Sequence, residues 1–144
     1  MLRIDGNDKK YRIEDAIYYR DGRVALLRGK PTVGYKVHEW TTFDELEKNE
    51  PDWWGDIYEM HKVNDDNYIV YAGETSYGGA GFVSLYDKNK KEYRWVLHLN
   101  ECNNFKSISV ENGVVIAISD YSFPNGTEFK LPVETPELIE VTEL

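Results

Sequence analysis

Three segments of the chain repeat one device: an apolar stretch, a tight polar turn and a second apolar stretch. They run from Ile17 to Leu26 about Asp21-Gly22, from Met60 to Val70 about Asp65-Asp66-Asn67, and from Ile108 to Ala117 about Asn112-Gly113. Asp-Gly and Asn-Gly supply the positive φ angles that two-residue hairpin turns need. A chain punctuated in this way is held together by hairpins, not helices. The turns lie about 44 and 47 residues apart, close to the length of a four-stranded propeller blade. Three blades are too few to close a propeller. The pattern therefore predicts a mainly β, antiparallel hairpin meander: a sandwich, a rolled sheet or a partial propeller-like form.

The rest of the chain fills in this scheme. Residues 2–5 and 10–13 predict a short opening pair, and Val33 to Trp40 a strand with Val33, Tyr35 and Val37 on one face. Phe82 to Tyr86 and Tyr93 to Leu99 predict a further pair joined by a charged turn. Tyr93, Trp95, Leu97 and Leu99 alternate with Arg94, Val96 and His98, which predicts burial on both faces near the middle of the strand. Gly73 to Gly81 reads as a bent connection, Asn125-Gly126-Thr127 as a turn, and the tail after Pro132 as an edge strand or helical turn. One helix is predicted, from Thr42 to Glu50. Thr42 and Glu45 form a capping box, Phe43, Leu46 and Trp40 supply an apolar edge, and Pro51 stops it. At 144 residues the whole, 1–144, is read as one β-rich domain with that single short helix.

The net charge is −9, and it is concentrated. Residues 41–66 carry −7, residues 131–144 carry −4, and the remainder is slightly basic. Nucleic acid is excluded as a ligand, because phosphate binding needs a basic footprint. A basic protein partner is favoured. No apolar run approaches the length of a membrane span and no signal peptide is visible, so a cytoplasmic location is expected. Cys102 is the single cysteine, which rules out an intrachain disulfide.

Catalytic and cofactor signatures are missing. Gly78-Gly79-Ala80-Gly81 matches neither the phosphate loop nor the dinucleotide fingerprint. His38, His61 and His98 are dispersed, and His98 with Cys102 has no metal-ligand geometry on a strand. Glu101 beside Cys102 would raise the thiol pKa, not lower it. No cofactor, no metal and no enzymatic role is expected.

What departs from the hairpin scaffold is the acidic helix with the loop after it: Asp44, Glu45, Glu47, Glu50, Asp52, Trp53, Trp54, Asp56 and Glu59. Acids around two tryptophans suit a basic protein, the charges selecting the partner and the rings anchoring it. Together with an aromatic β body that lacks a catalytic motif, this stretch resembles the small acidic immunity proteins of bacterial polymorphic and contact-dependent toxin systems. The resemblance implies binding to a cognate toxin, often a basic nuclease, and neutralisation by covering its active site. Two other readings fit the same residues. One is a β-rich interaction or carbohydrate-binding module; the other is a hydrolase using paired carboxylates.

Overall fold

The computed structural model describes residues 3–5, 8–12, 14–49, 54–76, 80–102, 105–120 and 125–144; for 3–5, 8–12 and Trp54 the description is of the backbone alone. Thirteen strands and one helix follow in chain order among these residues: β1 (Arg3–Asp5), β2 (Asp8–Arg12), β3 (Ala16–Tyr19), β4 (Arg23–Lys30), β5 (Gly34–Thr42), α1 (Phe43–Asn49), β6 (Trp54–Asn64), β7 (Tyr68–Thr75), β8 (Gly81–Asp87), β9 (Glu92–Leu99), β10 (Phe105–Glu111), β11 (Val114–Ser119), β12 (Thr127–Pro132) and β13 (Glu140–Glu143).

They form two antiparallel sheets. The larger has the order β6-β7-β8-β9-β3-β4-β5, extended beyond the start of β6 by β2 and β1. The smaller has the order β10-β11-β12-β13. The first two repeated hairpins lie in the larger sheet and the third in the smaller, so they are not equivalent blades. Their turns differ as well. Asn112 and Gly113 both have positive φ, 51° and 76°, as a type I′ turn requires, and Gly22 has φ 96°. The middle turn has no left-handed residue. It closes instead through Asp65 N–H to the Tyr68 carbonyl, with the Lys88 ammonium donating to the Asp65 carbonyl.

The smaller sheet packs on one face of the larger. Ile17, Leu27, Val83, Trp95 and Leu97 meet Val115, Ala117, Phe129 and Leu131 in the main core. The opposite face of the larger sheet is also covered. Ala16, Tyr18, Val24, Phe82 and Val96 form a second core there with Phe43 of α1. All four residues of β3 are therefore buried, and β9 is buried on both faces as its sequence predicts.

Bulges decide which side chains reach which face. On β9 the register runs Leu85↔Trp95 and then Tyr86↔Tyr93, leaving Arg94 as the extra residue. Tyr93 consequently joins the second core and Trp95 the first. On β5 the register jumps at His38, from Leu27↔Val37 to Leu26↔Glu39. Strict alternation predicts Trp40 beside the helix; instead it lies opposite Ala25 on the main-core side and stacks on Tyr19, with ring centroids 5.8 Å apart. Val33, expected on the strand face, sits in the β4–β5 turn and is exposed.

Gly81 is required by a close approach. A Cβ there would stand 2.1 Å from the Cys102 carbonyl oxygen. The tail forms an edge strand, β13, on β12. Within the described residues no helix is long and apolar enough to cross a membrane.

Candidate partner-binding surface

The acidic helix starts where the sequence places it. Thr42 accepts the Glu45 backbone N–H through Oγ1 at 3.2 Å, and the Phe43 N–H donates to the Gly22 carbonyl at 2.8 Å, tying the helix to the first hairpin turn. Phe43 is buried and Leu46 packs beside it against the second core. That geometry fixes the orientation of the remaining side chains. Asp44 and Glu45 face solvent, Glu47 is half-buried, and Lys48 makes a 3.5 Å pair with Glu45 one turn back.

The other predicted residues separate. Asp56 is exposed near the start of β6, whereas Glu59 is half-buried. Alternation along the strand puts Asp56 and Tyr58 on one face and Ile57 and Glu59 on the other. Ile57 belongs to the second core, so Glu59 turns toward the side that carries the helix and Asp56 turns away. Trp54 opens β6. Glu50, Asp52 and Trp53 lie outside the described residues.

The second acidic segment is used differently. Glu134 takes a bidentate pair of hydrogen bonds from Arg94, at 3.0 and 2.7 Å, and Glu137 accepts the Tyr19 hydroxyl. The Trp95 indole N–H donates to the Val133 carbonyl at 3.0 Å. These bonds strap the segment after β12 onto the larger sheet. The guanidinium holds the Glu134 carboxyl below the usual carboxylate range, and Arg94 is raised in turn. Burial first, then the Glu137 hydrogen bond, pushes the Tyr19 hydroxyl well above its ordinary pKa. Glu140 and Glu143 remain exposed.

Next to this strap is an open depression of about 320 Å³ into which Arg20, Arg23, Lys90 and Arg94 project. Its three arginines are each paired with a neighbouring carboxylate. Arg20 pairs with Glu92 at 3.4 Å, Arg23 with Asp21 at 2.8 Å, and Arg94 with Glu134. Lys90 is the fourth cation of the depression, beside these three pairs.

Among the described residues no group of three His, Cys, Asp or Glu is placed to hold a metal. Cys102 is fully buried, and burial pushes its thiol up to about 12, with Glu101 a minor contributor. His98 is buried with Nδ1 2.7 Å from the Glu14 carbonyl. A carbonyl only accepts, so Nδ1 carries the proton. Burial lowers the His98 pKa to about 4. These groups are packed into the fold, where no substrate reaches them.

The sequence did not reveal the aromatic stack at the edge of the larger sheet. The Arg23 guanidinium carbon lies 4.8 Å from the Tyr19 ring centre and 5.6 Å from that of Trp40, which nevertheless stays half-exposed. Comparison with protein-family models, curated proteins and solved structures finds no match.

Proposed function

We propose that this protein binds a basic protein partner and acts in the manner of an immunity protein, neutralising a cognate toxin by covering its working surface. One observation supports this most: α1 uses Phe43 and Leu46 to dock on the larger sheet and holds Asp44 and Glu45 in solvent, in the most acidic stretch of a chain of net charge −9. A rigid acidic helix imitates the spaced charges of a polyanionic substrate. It also accelerates encounter with a cationic partner. In this reading the protein makes and breaks no bond.

The test is calorimetric titration against a basic nuclease toxin encoded beside this protein's gene. Binding at about 0.1 M salt should weaken steeply by about 0.5 M, where screening shortens the reach of charges to a few ångströms. The triple variant Asp44→Lys, Glu45→Lys, Glu47→Lys should lose binding by at least tenfold, equivalent to about 1.4 kcal/mol. Full affinity in that variant would remove the helix from the interface.

A further inference from the structure

Where β5, the edge of the larger sheet, runs beside the segment 133–141, the two enclose a continuous groove. One end, about 400 Å³, is basic: Arg28, Lys36 and His38 surround Val33. The other, about 590 Å³, is acidic: Glu137 and Glu140 accompany Trp40 and Leu138. Tyr35, Lys36 and Ile139 line both ends and join them.

Two properties set this groove apart. Val33, Trp40 and Leu138 are 81%, 48% and 64% exposed, and they are three of the six large apolar side chains that stand out in solvent among the described residues. Apolar side chains gathered in one groove mark a surface made to be covered. Trp40 is already fixed by Tyr19 and Arg23, so little side-chain freedom is lost when it is buried. The charges are also polarised along the groove. Arg28, Lys36 and Glu140 make no ion pair among the described residues.

We propose that this groove is a homodimer interface, with a two-fold axis crossing it near Tyr35 and Ile139. The charge pattern selects the occupant. A uniformly basic segment would be opposed by Arg28 and Lys36, and a uniformly acidic one by Glu137 and Glu140. A second copy turned by a two-fold lays its acidic end on the basic end of the first, and the reverse. The dimensions agree: the nine residues of β5 extend about 30 Å, the width of a standard interface patch of about 800 Å² per partner. Local pairs of opposite charge in contact outweigh the repulsion between net charges spread beyond a screening length of about 8 Å. The floor of the groove, Tyr35 and Ile139, belongs with the main core, whereas α1 docks on the second, so the dimer and the acidic helix are tested by separate substitutions.

Sedimentation velocity of the full chain from about 10 nM to about 100 μM tests this, a range that spans the micromolar upper limit of Kd for interfaces of this size. The expected result is a concentration-dependent rise to twice the chain mass. Arg28→Glu and Glu140→Lys should each weaken the dimer at least tenfold, and the two together should restore it, because Arg28 lines only the basic end and the exchange re-pairs the charges across the axis. Leu138→Asp should leave a monomer with an unchanged circular dichroism spectrum. A single species of one-chain mass throughout would overturn the proposal. So would a dimer indifferent to all these substitutions.

Discussion

Arg94 and Glu134 are joined by two parallel hydrogen bonds, and the geometry depends on a β-bulge. Arg94 is the residue that the bulge leaves over, free of either core. Its guanidinium reaches out to the chain just after β12. The bulge thus sorts two aromatics into two cores and supplies the hook for the strap.

The contribution of that hook to stability should be modest. Glu134 is largely in solvent, and exposed pairs, even bidentate ones, contribute about 0.5–1 kcal/mol. A double-mutant cycle on Arg94→Gln and Glu134→Gln, read by urea unfolding, should give a coupling of about that size, shrinking at about 1 M salt. A coupling of zero would mean that the Trp95–Val133 and Tyr19–Glu137 bonds hold the strap without it.

Stability should fall on the acid side through His98. Its pKa is near 6.5 when unfolded and about 4 in the fold. Above pH 6.5 neither state holds the proton. Between 6.5 and about 4 only the unfolded chain takes it up, so stability drops as the pH falls, by roughly 3 kcal/mol in all. Asp15, whose carboxyl burial raises, acts in the opposite sense just above its usual range, since there the folded state binds the proton. Urea unfolding of the native protein and of His98→Gln at pH 7, 5.5 and 4.5 separates the two. The difference between the proteins should narrow steadily toward acid.

Cys102 should be inert. A thiol at about 12 that is fully buried is protonated at neutral pH and out of reach. Ellman's reagent should fail to label the native protein within minutes and should label it at once in denaturant. Immediate native labelling would show that the turn around Cys102 opens readily.

The helix cap should matter more than its size suggests, since α1 has only seven residues. Thr42→Ala removes the Glu45 N–H acceptor and should cost about 1 kcal/mol, while Thr42→Ser should keep most of it. Thermal unfolding reports both.

Features set by one or two neighbouring residues were legible in the sequence. Asn112-Gly113 takes the left-handed turn its residue types allow, Thr42 caps where expected, and the tail takes the edge strand, one of the two forms its sequence left open. The buried middle of β9 was legible too, because Val96 is apolar between the alternating Trp95 and Leu97. Register was not. Each bulge inserts one residue without a composition signal, and one residue is enough to move Trp40 from the helix side to the Tyr19 side. For the same reason the groove could not be anticipated: its acidic wall showed as charge in 131–144, but its apolar floor exists only once β5 and that segment are brought together. Of the acidic constellation, Asp44 and Glu45 stand in solvent on α1 and Glu47 is half-buried, whereas Asp56 and Glu59 part company because a strand alternates its faces.

The pairing of β3 with β9, Ala16 against His98 through Tyr19 against Trp95, has a consequence for how the protein is made. A ribosome delivers β3, β4 and β5 long before β9. Until residue 99 has left the exit tunnel, the first hairpin waits with one edge open and Ile17 and Tyr18 uncovered. Closing contacts of such high sequence separation is slow, and the interval is one in which apolar strands attract the wrong partners. Newborn chains arrested before β9 should therefore be the form of this protein that chaperones hold.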